Sequence, residues 1–371
     1  MRWIFCVLIL CTCIPNITFA SDSQHYGFFS DINLGYEDNI WKINDDSENH
    51  VLEYKTEGLQ AAKVRGSLGY GSKAFFDVSY ETPIVRSEKQ NEMLSTNTSE
   101  SKLIAEKFLG VVRLDPLVDY LIPGDSLSGK VLQRLLSVRY KYTRELFFVD
   151  ATALTSAVLI PKTAVLDYTN RTVSGSSPLL KGEKVTARTE FVDNEISIAL
   201  WSFDMPIKMG QVVKLSPHEF RVGQYFSQWR RPSDTTLFTI NNQPVVYDAE
   251  YKTNGILISI ETMDPGSPGI NADFSFRFGY DNHLNTAIDW GKVANKKVDT
   301  SSVMFNLALW YNFYFGATRD DGLYLTLGGN VSERTMNVDI VTETATSVDT
   351  TRIIHDTDTL YKLYATLGYR F

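Results

Sequence analysis

Residues Leu360–Phe371 read LYKLYATLGYRF. Tyr361, Leu363, Ala365, Leu367, Tyr369 and Phe371 fall on one phase of a period-two pattern, and Lys362, Tyr364, Thr366, Gly368 and Arg370 fall on the other. Successive side chains of a strand point to opposite faces, so this stretch is a strand with one apolar face and one mostly polar face. Chain ends ordinarily fray; an alternating strand that finishes on an aromatic is expected to be held. Two environments produce it: a soluble sheet over a core, or a barrel wall between lipid and a wet interior.

The same alternation recurs upstream. Phe28–Tyr36 is one segment, and Val64–Tyr70 and Ala74–Tyr80 flank Gly71-Ser72, a hairpin signal. Leu136–Tyr142 and Leu146–Val158 follow, Thr186–Phe203 reads as a hairpin around Asp193-Asn194, and Val212–Tyr225, Leu237–Tyr247 and Gly255–Glu261 are further segments. Ala272, Phe274, Phe276, Phe278 and Tyr280 share one face opposite Asp273, Ser275, Arg277 and Gly279. Phe305, Leu307, Leu309, Tyr311, Phe313 and Phe315 share another; after the tight-turn signal Asp321-Gly322, Leu323, Leu325, Leu327 and Val331 keep that phase on the returning strand. This gives an all-β chain of about 12–16 strands with boundaries good to several residues. The clearest strands are longer than those of soluble sheets, and Tyr70, Tyr80, Tyr280, Tyr311, Tyr361 and Tyr369 gather near strand ends, as interfacial aromatic girdles do. A soluble secreted β-protein would turn polar faces to water, which these aromatic-rich faces contradict.

Composition narrows the function. The chain has 371 residues and a formal net charge of -8, from 36 Lys+Arg against 44 Asp+Glu, which argues against nucleic-acid binding. Residues 1–20 have the form of a secretory signal: Arg2 before the apolar run Trp3–Ile14, Pro15 as a breaker, and Thr18-Phe19-Ala20 as a cleavage site. Cleavage after Ala20 is expected, leaving 21–371 as the barrel; the run is short for a spanning helix, which needs about 20 apolar residues. All three cysteines, Cys6, Cys11 and Cys13, lie within that signal. Disulfide scaffolds, thiol catalysis and cysteine zinc sites are therefore excluded from the mature chain.

Residues 83–130 depart from the pattern. A polar stretch leads into Lys102–Val112, where Leu103, Ile104, Phe108, Val111 and Val112 have helical spacing, and Pro116 and Pro123 follow. A loop or helical insertion is expected here, as a lumen plug, a helix on the membrane surface, or a solvent-side helix packed on its own strands. The segments 162–185, 263–270 and 334–357 read as loops from their Ser, Thr, Asp, Asn, Gly and Pro content.

With its signal, cysteine-free mature sequence, alternating strands and terminal Leu367, Tyr369 and Phe371, the chain resembles a bacterial outer-membrane β-barrel, porin-like in the broad sense. The resemblance covers the mature chain in pattern and the last dozen residues in motif. Thr366 stands where the family often has Gly, and a Gly sits at 368 instead. His218–Pro232, HEFRVGQYFSQWRRP, resembles strands of porins that pass anions or carbohydrates. The resemblance implies a closed antiparallel transmembrane β-barrel with long outer loops, in the Gram-negative outer membrane among lipid and lipopolysaccharide. It also implies that the barrel-assembly machinery reads Leu367, Tyr369 and Phe371. Separately from the resemblance, strands can span hydrocarbon only as a closed barrel, so the last strand must pair with the first, near Phe28–Tyr36.

If the aromatic face meets lipid, the opposite face lines the lumen. Arg139, Lys141, Asp273, Arg277, Lys362 and Arg370 are then the lumen candidates, and the inward cations favour anions unless they pair internally, as Arg277 and Asp273 are placed to do. No cofactor motif is present. The five histidines are His25, His50, His218, His283 and His355; His355-Asp356 beside Asp358, and Asp281-Asn282-His283, are the only His–Asp neighbours, without a companion nucleophile motif. Asp320-Asp321 and the Asp-rich loop ending in Asp356 and Asp358 could hold a divalent cation by oxygen ligands, and a turn and a solvated loop account for them equally. The expectation is a non-enzymatic channel for small solutes. The alternatives are a non-conducting structural, adhesive or complex-forming barrel and, third, a barrel hydrolase.

Overall fold

The computed structural model describes most of residues 26–370; residues 1–25 and Phe371 lie outside the described residues, as do connecting stretches of which the longest are 84–97, 122–128, 290–295 and 316–321. Twelve long strands carry the fold: β1 (Tyr26–Asp45), β2 (His50–Tyr70), β3 (Lys73–Pro83), β4 (Thr98–Arg113), β5 (Val138–Ala153), β6 (Lys184–Asp204), β7 (Pro217–Arg231), β8 (Ala249–Thr262), β9 (Gly269–Thr286), β10 (Lys296–Tyr314), β11 (Gly322–Glu343) and β12 (Val348–Arg370). Each pairs antiparallel with the next, and the sheet closes into a barrel. The seam joins the two ends of the chain, with Ile32 opposite Tyr369 and Leu34 opposite Leu367. From Asp356 to Arg370, β12 thus lies between two partner strands, which holds this end of the chain in the sheet.

The two faces of β12 separate as the alternation requires. Tyr361, Leu363, Ala365, Leu367 and Tyr369 are exposed on the outside, whereas Thr366, Gly368 and Arg370 are buried inside and Lys362 and Tyr364 are half-buried. The belt continues round the barrel in Leu34, Phe76, Phe108, Ile196, Phe278 and Leu309, all among the exposed large hydrophobics. Buried positions hold mostly Arg, Glu, Asp, Ser, Thr and Asn. Apolar outside and polar inside is the inverse of a water-soluble fold and is what a lipid-immersed barrel requires. The chain is an outer-membrane β-barrel, located in the bacterial outer membrane. Among the described residues no helix is long and apolar enough to cross a membrane; the strands make the crossing.

The two ends differ. Both termini lie at the end whose connections are 71–72, 114–137, 205–216, 263–268 and 315–321. At the opposite end three connections, 154–183, 232–248 and 287–295, are tied together. Ala157–Ile160 pairs with Ser177–Leu179 and, in parallel, with Gln243–Tyr247. Val165–Asp167 pairs with Thr172–Ser174 and with Ile288–Asp289. Long outer connections and shorter inner turns are the usual polarity of such barrels.

Three expectations are corrected. Lys102–Val112 is not helical but belongs to β4, with Phe108 opposite Tyr80 on β3 and Arg144 on β5. Residues i and i+4 share a face in both a helix and a strand, so Ile104, Phe108 and Val112 satisfied both readings; a helix here would leave the edges of β3 and β5 unpaired in lipid. Among the described residues, helical turns occur beyond β4, at Leu117-Val118, Leu121, Gly129 and Val131–Gln133, with Leu117, Leu121, Val131 and Leu132 exposed. Asp193-Asn194 is no turn: β6 runs through it, Asp193 faces inward and Asn194 accepts a 2.7 Å hydrogen bond from Tyr140 Oη. Residues 334–357 are mostly strand, with Ile340 opposite Thr351. Their polar composition misled, while their β-branched Thr, Val and Ile content favoured pairing.

Candidate functional site

The register assembles the interior from residues far apart in sequence. Across β2–β6, Lys63 lies opposite Glu81, Glu81 opposite Lys107, Lys107 opposite Glu145, and Glu145 opposite Phe191. The result is an inward row of alternating charge, whose directly opposed side chains lie about 5 Å apart at Cβ. Lys107 Nζ donates to Glu145 at 2.8 Å. Two cations from other strands reach this row. Lys362 on β12 bonds Glu81, and Arg334 on β11 bonds Glu145, six places round the twelve-strand ring. The Arg334 guanidinium also lies 3.7 Å from the centre of the Phe191 ring and 3.7 Å from Asp358.

A second set of pairs braces β4–β9. Arg139 holds Glu261 in a two-pronged contact, with Nη2 at 2.7 Å. Arg277 reaches Asp193 at 2.8 Å and also bonds Glu195. Arg113 and Arg221 share Glu219 at 3.0 and 2.7 Å, and Arg221 donates to the Ser137 carbonyl at 2.8 Å. Aromatic and apolar side chains fill the space between: Trp229 stacks on Tyr251 with centroids 5.0 Å apart, and Leu257 is fully buried. Buried charges need partners; each of these arginines has a carboxylate, while the Nε atoms of Arg139 and Arg277 have no hydrogen-bond partner among the described residues.

The space left is a cavity of about 300 Å³, bordered by Asn33, Lys63, Arg65, Glu81, Lys107, Glu145, Asp193, Asp273, Arg277, Arg334, Lys362, Tyr364 and Thr366 among others. Its wall on β1 and β12 combines Asn33 and Thr366 with Leu360, Lys362 and Tyr364. A Cβ added at Gly368 would run into Asn33 Oδ1 and come within 2.5 Å of the Tyr324 ring. The glycine at 368 therefore makes room for Tyr324, itself stacked on Tyr314 with centroids 4.9 Å apart.

Of the lumen candidates from the sequence, Lys141, Asp273, Arg277 and Lys362 border the cavity. Arg139 is 1 % exposed and consumed by Glu261, and Arg370 is buried at the end of β12. Lys141 sits 3.6 Å from Glu261 and 3.9 Å from Glu195. Arg277 does not pair with Asp273; Asp273 instead accepts the Thr262 backbone N–H at 2.7 Å. Leu367 and Tyr369 face outward, and Phe371 lies outside the described residues. The sequence reading missed Lys63, Glu81, Lys107, Glu145, Glu195, Glu261 and Arg334. The available signal was a charged residue opposite the aromatic phase of a strand, which Lys107 lost to the helical reading.

The His–Asp neighbours fall in different places. His283 is exposed at the outer end of β9, 3.1 Å from Asp281. His218 is buried, and its Nε2 accepts the Ala272 N–H at 3.3 Å. Asp358 is buried beside Arg334 rather than solvated. Asp320-Asp321 and His25 lie outside the described residues.

No protein-family model matches the chain, and no curated protein matches it. Among solved structures it is similar to the outer membrane protease OmpT of Escherichia coli, with 9% identity, 95% of this chain and 100% of that chain covered, and a TM-score of 0.36. It is also similar to the Pseudomonas putida toluene transporter TodX, with 7% identity, coverage of 95% and 91%, and a TM-score of 0.29. A FadL homologue of Pseudomonas aeruginosa gives 8% identity, coverage of 92% and 90%, and a TM-score of 0.29. The likeness is one of barrel architecture.

Proposed function

We propose that the chain is a narrow channel for small polar solutes. The observation that carries this reading is the charged cavity of about 300 Å³ inside a barrel whose outer face is apolar. A polar lumen within a lipid-facing wall serves passage or binding of solutes that lipid excludes. The cavity is at the small end of the ~300–1,000 Å³ range of small-molecule sites, and cross-lumen pairs such as Arg334–Glu145 divide the interior. Both features favour selective passage of small molecules over a wide aqueous pore, and transport over catalysis. In this reading Lys141, Asp273, Arg277 and Lys362 act at the cavity, and Arg139 and Arg370 brace it. Export follows removal of residues 1–20, the barrel-assembly machinery reads Leu367, Tyr369 and Phe371, and lipopolysaccharide surrounds the outer rim.

A second reading, a non-conducting braced barrel, is favoured by the completeness of the Arg113–Glu219–Arg221 and Arg139–Glu261 pairs, which close the β4–β8 side. Single-channel recording on the refolded mature protein, residues 21–371, separates the two. Small steady conductance is expected. Efficient insertion without current, seen as a heat-modifiable folded band and no steps, overturns the channel.

A further inference from the structure

We infer that the connection between β4 and β5, residues 114–137, docks on the membrane itself. Its apolar turns lie in the headgroup and upper-chain region of the phospholipid leaflet at the end where both termini lie. This surface is separate from the cavity, and its role does not depend on whether the barrel conducts. Leu114, Leu117, Leu121, Val131, Leu132 and Leu136 are between 41 % and 63 % exposed. Among the described residues of the connection, Val118, Gly129 and Ser137 are the buried ones. Large aliphatic side chains scattered singly over a surface need no explanation, whereas a cluster of them marks a protein or membrane contact.

The backbone gathers these residues into one place. The N–H groups of Leu117 and Val118 donate to the Leu114 carbonyl, both at 3.1 Å, and the Leu136 N–H donates to the Leu132 carbonyl at 3.0 Å. The Leu114 N–H donates to the Val138 carbonyl at 2.9 Å, so the two turns start from adjacent strand ends. Continuity with the wall says what covers them. Leu114 keeps the outward phase of Phe108 and Val112 on β4, both exposed on the lipid-facing side. Leu136 leads into β5, where Tyr140 is exposed on the same side. The apolar surface of the wall thus runs past the strand ends into the turns, and the lipid that covers the wall covers the turns with it. In sequence, Asp115, Asp119, Asp125, Lys130 and Arg134 are interspersed with the aliphatic residues. Such mixed composition suits an element lying in the interface rather than one crossing the bilayer.

The test uses refolded residues 21–371, which contain no cysteine. Leu117→Cys, Leu132→Cys and, on the wall, Leu363→Cys each carry one environment-sensitive fluorophore in vesicles of phosphatidylethanolamine and phosphatidylglycerol. Quenching is read with nitroxide lipids labelled near the headgroup or near the chain end, and with iodide on both sides of the membrane. Heat-modifiability on gels verifies that each variant is folded. The labels at 117 and 132 should be quenched most by the shallow nitroxide, at the depth of about 5–10 Å usual for interfacial helices. Iodide should quench them severalfold less than it does in the urea-unfolded chain. The label at 363 should prefer the deep nitroxide. Iodide quenching as strong as in the unfolded chain puts the turns in water and overturns the proposal. Protection from iodide without lipid quenching, or lipid quenching that vanishes as the protein-to-lipid ratio rises, means that the barrel or a second copy covers them, and overturns it equally.

Discussion

The wall formed by β5–β8 and the wall formed by β11, β12 and β1–β3 obey one rule and reach different ends. On the first wall, Arg139, Glu195, Arg221 and Leu257 are 0–1 % exposed, and long Arg–Glu pairs join strands three places apart round the ring. On the second, the inward positions include Asn33, Ser79, Thr326, Thr366 and Gly368, and Lys63 and Lys362 stay half-buried beside open space. Both walls are polar inside and apolar outside. What separates them is packing: Arg–Glu pairs fill the first wall, while on the second Arg65, Tyr324 and Arg334 are buried but Lys63, Lys362 and Tyr364 stand half-buried beside the cavity. Polarity makes the barrel transmembrane, and the way the inward side chains pair decides where its interior is solid.

The comparison breaks most readily at Arg139. Arg139→Ala leaves Glu261 without its two-pronged partner and Glu195 without a neighbour 3.7 Å away, all on the packed wall. Removing one member of a buried pair strands the other charge, so about 3–5 kcal/mol of stability should be lost. The urea midpoint of the refolded protein in detergent measures it. A loss below about 1 kcal/mol, the range of exposed pairs, would mean that this wall is wet, and the contrast between the walls would fall.

The outer surface provides the control. Ile196 lies on β6 of the packed wall and Leu363 on β12 of the hollow one, 59% and 67% exposed. An arginine at either position should cost about 2–4 kcal/mol near the middle of the bilayer and less toward the rims. Matching costs, measured as unfolding midpoints in lipid vesicles, would show that the walls differ only inside. A large mismatch would trace the asymmetry to the lipid-facing side.

Much of this was legible before any coordinates. LYKLYATLGYRF fixes its own two faces, because a strand has no freedom to put Leu363 and Tyr364 on the same side, and closure onto Phe28–Tyr36 follows from the absence of partners in hydrocarbon. The interior was less legible. Arg277 and Asp273 are near in sequence on one strand and were the natural pair; the arginine instead reaches Asp193 and Glu195 on β6, since chords across a barrel depend on strand order and register. The β4 error has another origin. Helix and strand periods coincide at every fourth residue, and only pairing with β3 and β5 decides between them.

Arg334 and Glu145 sharpen the comparison, because they join β11 of the hollow wall to β5 of the packed one. Arg334→Gln and Glu145→Gln should each destabilise, and the double variant should lose less than the sum, with a coupling of about 0.5–3 kcal/mol. The same double variant should raise single-channel conductance, since it removes the bar that crosses the interior. Additive losses with unchanged conductance would make the contact incidental.

The smallest expected effect is the most informative about the hollow wall. Lys63 makes no ion pair among the described residues and stands opposite Glu81, which Lys362 already holds. Lys63→Ala therefore gives up an attraction to Glu81 together with repulsion from Lys107 and Lys362, and little packing. Its stability should stay within about 0.5 kcal/mol of the unaltered protein, the usual range for a substitution that breaks no network. Measured in the urea series used for Arg139→Ala, the two variants should differ severalfold in cost although each deletes one inward cation. If Lys63→Ala instead costs as much as Arg139→Ala, the lysine is a brace. The cavity beside it would then be a gap between structural pairs, and burial would not distinguish the residues that hold this barrel from those that face its solute.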